Sequence, residues 1–194
     1  MANEALFLKN LWYMAGLSSS LKTGALRGEM LLGEPVLLGR GPDGNAFAMR
    51  DICPHRAAPL SGGRVLGNEV ECPYHGWRFR PDGVCSMIPS VVAEQDFAVD
   101  RIRVASYPLC EQDGLLWVYL PTDSKGETPP VLPAPVMPFG GADGRARPCF
   151  VESQIFPASL DHAVVGLMDP AHGPFVHRAW WWRTESSIHA KAKH

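Results

Sequence analysis

Long apolar runs are missing from this chain of 194 residues. No stretch approaches the ~18 uninterrupted apolar residues of a membrane span. Charge of one sign is missing too. Lys+Arg number 18 against 20 Asp+Glu, a net charge of −2 at pH 7, so there is no electrostatic footprint for nucleic acid. The opening Met-Ala-Asn-Glu-Ala-Leu-Phe-Leu-Lys carries an acid early and lacks the basic-then-apolar order of an export signal. The expectation is a soluble cytoplasmic protein without membrane or nucleic-acid partners. No internal repeat is visible. Cysteine is scarce and odd in number: Cys53, Cys72, Cys85, Cys110 and Cys149. Without an export signal, that argues against a disulfide framework and for metal or thiol roles. Strong helical periodicity is also absent over the first 120 residues, and 19 Gly with 18 Pro leave little room for long helices.

What is present is a series of short apolar runs broken by turn signals. Glu29–Leu32 and Pro35–Leu38 flank Gly33-Glu34, a hairpin. Gly41-Pro42-Asp43-Gly44-Asn45 precedes Ala46–Met49. Gly67-Asn68 splits Arg64–Leu66 from Glu69–Cys72, and Pro81-Asp82-Gly83 splits Trp77–Arg80 from Val84–Ile88. Arg103–Tyr107 and Leu115–Leu120 close the set. Repeated hairpin spacing predicts an antiparallel β sandwich or small barrel over 1–120. Residues 121–148 hold seven prolines and read as a crossing segment. Residues 149–194 then begin a second domain. A strand is expected over Phe150–Phe156. A short helix is expected from an N-cap at Ser159 to Met168, with apolar residues at 160, 163, 164, 167 and 168.

Chemistry concentrates in two turns. Cys53-Pro54-His55-Arg56 is followed after fifteen residues by Cys72-Pro73-Tyr74-His75-Gly76-Trp77. By count alone, two Cys and two His suit zinc or an iron–sulfur cluster equally. A zinc finger usually pairs C-x2-4-C with H-x3-5-H, whereas here each pair holds one Cys and one His. That arrangement can place two Cys on one iron and two His on the other, with the second iron at an exposed tip.

These residues resemble the C-x-H…C-x2-H signature of the Rieske family, over about residues 8–120. The resemblance implies a 2Fe–2S cluster held by Cys53, His55, Cys72 and His75. The bridged cysteine pair of the respiratory members is replaced by Ala58 and Tyr74. Their Ser after His-Gly is replaced by Trp77, which implies a low-potential centre.

Asp169-Pro170-Ala171-His172-Gly173-Pro174-Phe175-Val176-His177 carries a second pattern, D-x2-H-x4-H. Two neutral imidazoles with one carboxylate make a facial triad on Fe(II) with open positions. After a Rieske motif, this segment resembles the start of the α+β, helix-grip-like catalytic domain of Rieske non-haem iron oxygenases. Asn10–Gly16 and Leu167-Met168-Asp169 resemble the vanillate and dicamba demethylase branch. The fold implied is mainly β, a Rieske antiparallel β domain followed by the beginning of that catalytic domain.

The family resemblance implies that His172 and His177 bind mononuclear iron, and that Asp169 links to His75 of the partner subunit in a homotrimer. It implies a terminal oxygenase subunit using O2 and a small aromatic or related organic substrate, with a reductase or ferredoxin as electron donor. Gly166 stands where many relatives have Asn or Asp. The family's carboxylate ligand lies far downstream, whereas after His177 the only acid here is Glu185. The expectation is therefore a truncated subunit, incomplete for catalysis by itself. The rival readings are a Rieske ferredoxin-like carrier, which leaves residues 121–194 unexplained, and a zinc-stabilised structural domain. Trp180-Trp181-Trp182 reads as core, His162 as a plain hydrogen-bonded histidine, and His189 and His194 as a polar tail. Cys85, Cys110 and Cys149 read as small apolar groups.

Overall fold

Eleven strands, three single-turn 3-10 helices and one α-helix make up the regular structure of the described residues. This computed structural model describes residues 8–92, 95, 97–123, 126, 128–137, 155–169 and 172. The chain forms two compact units, Met1–Arg147 and Pro148–His194.

The first unit is built from β1 (Leu11–Leu17), β2 (Leu26–Leu31), β3 (Glu34–Arg40), β4 (Ala46–Arg50), β5 (Arg64–Leu66), β6 (Glu69–Glu71), β7 (Arg78–Phe79), β8 (Cys85–Met87), β9 (Ser106–Tyr107), β10 (Leu109–Gln112) and β11 (Leu115–Leu120). They pair antiparallel in three sheets, ordered β1-β11-β10, β2-β3-β4-β9 and β5-β6-β7-β8. The sheet β2-β3-β4-β9 is the shared layer. Alternation along a strand sends successive side chains to opposite faces. Leu37, Phe47 and Met49 pack with Leu60, Val70, Phe79 and the two cysteines Cys53 and Cys72. Val36, Leu38 and Ala48 pack the other way, with Leu116, Val118 and Leu120 of β11. The continuous apolar run Val36-Leu37-Leu38 is thus a strand buried on both faces.

Hairpin positions follow the turn dipeptides, with one shift. The β2–β3 turn is Leu32-Gly33, one residue earlier than Gly33-Glu34, because Leu31 pairs with Glu34. Both turn residues take positive φ, 51° and 78°, the pattern that matches the twist of a two-residue hairpin. Glu34 is thereby freed to accept a 2.8 Å bond from the Tyr107 hydroxyl.

Part of the crossing segment docks on the first unit. The Trp12 indole donates to the Leu132 carbonyl at 2.7 Å, Gln112 donates to that of Pro135, and Asp113 accepts from the Met137 amide. Prolines lack a donor but keep their carbonyl, so side chains supply the donors.

The sheet β5-β6-β7-β8 carries the loops with the Cys and His pairs. Gly63, just before β5, lies so near β6 that a Cβ there would fall 1.9 Å from the Glu71 carbonyl oxygen. Gly63→Ala is expected to destabilise the unit by about 3 kcal/mol, because backbone rather than a movable side chain blocks the space. Thermal melting checks it, and an unchanged melting temperature would contradict the close approach.

Glu71, next to Cys72, bridges Arg64 (2.7 Å) and Arg78 (3.0 Å). Hydrogen bonds from Arg64 first, then Arg78, hold its carboxyl below the ordinary glutamate value of 4.5. A lowered carboxyl favours folding above the unfolded value, and that gain disappears as pH falls through the folded one. The stability gap between this protein and Glu71→Gln should therefore be full at neutral pH and close on acidification below pH 4.5. Urea titrations at stepped pH read it directly.

In the second unit, helix α1 spans Leu160–Met168, with the Ser159 side chain accepting from the His162 amide as N-cap. Ser159 Oγ also lies 2.8 Å from His162 Nδ1, so His162 is a hydrogen-bonded histidine as expected. Ile155 and Phe156 are not in a strand. Residues 150–154 of that expectation, together with Cys149, the three tryptophans, Glu185, His189 and His194, lie outside the described residues.

Candidate metal centre

Two loops of parallel construction hold the Cys and His pairs. One joins β4 to β5, the other β6 to β7. In the first, the Cys53 amide donates to the Ala58 carbonyl (2.9 Å) and the Ala57 amide returns to the Cys53 carbonyl (2.9 Å). In the second, the Cys72 amide donates to Trp77 (2.8 Å) and the Gly76 amide returns to Cys72 (3.1 Å). The residue four beyond each Cys is left-handed, Ala57 at φ 55° and Gly76 at φ 69°. Each Cys thus sits at the start of the same tight turn, and each His follows within it.

The turns meet with their thiols inside and their imidazoles outside. Cys53 and Cys72 are 2% and 3% exposed, in the apolar layer with Leu60, Val70 and Phe79. Burial pushes the Cys53 thiol up to about 11; Cys72 adds to that, while backbone hydrogen bonds at His55 and Arg56 oppose it. A buried thiol is deprotonated only when a cation offsets the charge. His55 and His75 are exposed, with ring centroids 4.5 Å apart. The His55 imidazole is held below its usual value, first by loss of solvent and then by His75 and Arg56.

Aromatic rings brace the tip. Trp77 stacks on His55, with centroids 4.6 Å apart and planes 3° from parallel. Tyr74 lies against His75 at 4.0 Å. Sequence reasoning treated Trp77 only as a missing hydroxyl donor and missed this contact. Its place two residues after His75, mirroring Ala58 after the first turn, is the one signal that could have suggested it.

Among the described residues, no three His, Cys, Asp or Glu side chains converge as a single-metal site requires. A two-iron cluster asks for something else, a pair of ligands at each iron. A buried thiol pair beside an exposed imidazole pair suits that donor set. It suits zinc less, since zinc collects four ligands around one point.

A family model for the Rieske [2Fe-2S] domain matches residues 11–108. The chain belongs to the Rieske [2Fe-2S] domain family.

The Rieske chain is similar to chlorophyllide a oxygenase, chloroplastic, of Chlamydomonas reinhardtii, at 34% identity over 91% of this chain and 25% of that protein. It is also similar to the oxygenase component of dicamba O-demethylase of Stenotrophomonas maltophilia, at 35% identity over 89% of this chain and 48% of that protein. Among solved structures it resembles apo dicamba monooxygenase, with 37% identity and a TM-score of 0.57 over 66% of this chain and 38% of that one. The chain spans a quarter to about half of the length of these curated relatives. The demethylase resemblance drawn from Asn10–Gly16 and Leu167–Asp169 is met by the second of them.

In the second unit of this Rieske chain, Asp169 and His172 line a cavity of about 640 Å³ with His162, Phe156 and Gly166. Asp169 Oδ2 lies 3.9 Å from His172 Nδ1. Gly166 contributes no side chain, and a Cβ there would meet nothing within 4 Å. His177 lies outside the described residues. Among the described residues, no helix is long and apolar enough to cross a membrane.

Proposed function

We propose that Cys53 and Cys72 hold one iron of a Rieske 2Fe–2S cluster and His55 and His75 the other, within a terminal oxygenase. The observation that carries the reading is the meeting of two matching turns, thiols buried and imidazoles exposed. When bound, such a cluster supplies one-electron storage close to solvent. The chain's own residues do the rest. The apolar layer around Leu60, Val70 and Phe79 keeps water from the thiol side. Trp77 fixes the plane of His55, and the exposed imidazoles can exchange protons with solvent.

We assign residues 1–120 to the Rieske domain, 121–148 to the crossing segment and 149–194 to the beginning of a catalytic domain. In that domain His172 and His177 would bind mononuclear Fe(II), which when bound would activate O2 against an aromatic or related organic substrate. Asp169 lies 3.9 Å from the His172 ring, an electrostatic neighbour at more than hydrogen-bond distance. The family resemblance further assigns Asp169 the contact to His75 of the partner subunit in a cytoplasmic homotrimer. The electron donor is a ferredoxin or reductase; a ferredoxin complex exists for the oxygenase of carbazole 1,9a-dioxygenase, a structural relative at 29% identity. Similarity to oxygenases over 91% and 89% of the chain supports this reading over a dedicated carrier.

Iron, zinc and acid-labile sulfide analysis of anaerobically prepared protein tests it. The expected result is about two irons and two sulfides for the cluster, with mononuclear iron only as a substoichiometric addition that is lost in His172→Ala. Zinc without sulfide would overturn both the cluster and the oxygenase.

A further inference from the structure

Asp51 is the only charged side chain that is buried among the described residues, at 9% exposure. It follows β4 directly and stands two residues before Cys53. Its amide donates to the Pro35 carbonyl of β3 at 2.9 Å, which fixes its backbone to the middle sheet. Both carboxylate oxygens are directed at one residue. Oδ1 accepts from the Ser61 amide at 2.7 Å and Oδ2 from the Ser61 hydroxyl at 2.5 Å. Ser61 lies in the 3-10 turn Leu60–Gly62, whose N-cap residue Pro59 offers no side-chain cap. Asp51 therefore satisfies an amide that the turn leaves open. On β2, Gly28 leaves the room: a Cβ there would fall 2.7 Å from Ser61 Oγ and 2.8 Å from Asp51 Oδ2.

The far end of the same 3-10 turn lies against the second ligand turn. A Cβ on Gly62 would meet Pro73 Cγ at 3.6 Å, and Gly63 lies against the Glu71 carbonyl. Glu71 and Pro73 flank Cys72. Among the described residues, no backbone hydrogen bond joins the first turn, 53–58, to the second, 72–77. Asp51, Ser61, Gly62 and Gly63 thus make a continuous line of contact from the chain just before Cys53 to both neighbours of Cys72. Burying a carboxylate is costly unless it is hydrogen-bonded, and an apolar residue would fill the space as well. What the carboxylate adds is direction, since two charge-assisted bonds set both the position and the rotation of Ser61.

We propose that Asp51 is a positioning residue for the cluster: acting through Ser61, it sets where the Cys72 turn stands against the Cys53 turn. The inference rests on the Rieske reading above. Asp51 is not itself a ligand. Its effect is on the spacing of the two thiolates and two imidazoles, and residues that orient metal ligands act on affinity through that spacing. Ligand geometry is read by the g-values of the reduced cluster, and affinity by how firmly the cluster is retained.

The test compares the cluster-loaded chain with Asp51→Ala, Ser61→Ala, Asp51→Asn and, as a packing control, Cys85→Ala. Low-temperature EPR of the dithionite-reduced protein reads the g-values. Loss of visible absorbance under a strong iron chelator reads retention, and thermal melting is recorded alongside. Asp51→Ala should shift the g-values and lose its cluster at least about tenfold faster than the parent, the usual scale for a residue that orients metal ligands. Ser61→Ala keeps the amide bond, so it should change both in the same direction and by less. Asp51→Asn keeps an oxygen for the Ser61 amide and offers an N–H to its hydroxyl, so it should restore the parent's g-values and most of its retention. Cys85→Ala should lower the melting temperature and leave both readouts unchanged. Asp51→Ala and Ser61→Ala proteins with the parent's g-values and retention would overturn the inference while leaving the cluster standing. So would retention that follows melting temperature across all the variants, Cys85→Ala included, which marks a general effect on folding. Should Asp51→Ala not fold, Ser61→Ala set against Asp51→Asn and Cys85→Ala decides the same question. A parent chain that takes up no cluster would instead sink the Rieske reading itself.

Discussion

Replacing Cys53 or Cys72 by Ala is expected to abolish the 2Fe–2S visible and EPR signals completely rather than to weaken them. Each buried thiolate would supply two things at once, a bond to iron and the negative charge that makes a metal tolerable in an apolar layer. Ala removes both, and neither Leu60, Val70 nor Phe79 can replace them. The turns would also lose their link through the cluster across the tip, leaving the Trp77–His55 stack and the hydrogen bonds inside each turn. Cys85 is the control. It is 1% exposed and packs in the same layer, but its thiol is directed to the Met87 carbonyl at 3.7 Å. Cys85→Ala should lower stability and leave the spectrum intact. A Cys53 or Cys72 variant with a native spectrum, or a Cys85 variant without one, would refute the ligand assignment.

The second large effect is on potential. Rieske centres range from about −150 to +300 mV, and hydrogen bonds to the cluster sulfurs are a main lever. Here the residue after His75-Gly76 is Trp77, which has no hydroxyl and whose ring is committed to the face of His55. The two positions of the bridged cysteines in respiratory members are Ala58, packed against the apolar layer, and Tyr74, packed against His75. Fewer donors stabilise the reduced, more negative state less. The cluster should lie at roughly −150 to 0 mV. Film voltammetry giving a value above about +200 mV would place it with the respiratory group and overturn the argument.

Much of this was readable from residues alone, for identifiable reasons. Turn dipeptides mark hairpins because few residues accept their backbone angles, so Gly67-Asn68 and Pro81-Asp82-Gly83 gave β5–β6 and β7–β8. Ser159 marked the start of α1 because its hydroxyl satisfies an amide that the helix leaves open. The Cys and His pairs announced themselves by spacing. The shared middle layer did not, because β9 is two residues long and pairs with β4, at Ala48↔Tyr107 and Met49↔Ser106, with 55 residues between the two strands. Nothing in the pattern of 121–148 marks Leu132 as the acceptor for Trp12, since a backbone carbonyl exists at every residue. The stack of Trp77 on His55 joins two different turns, and only their meeting in space creates it.

That stack has a kinetic consequence. Trp77 is half-buried, His55 lies flat on it, and His75 stands edge-on to His55 at 63°. Trp77 on one face and His75 at the edge each limit the directions in which the His55 ring can turn. The rotamer freedom that a surface histidine keeps, and must surrender on ligation, is largely given up in the folded chain already. On the proposed ligation, the imidazoles do not re-aim when the centre gains or loses an electron. A smaller nuclear rearrangement at each transfer is the expected consequence of rings already braced by one another.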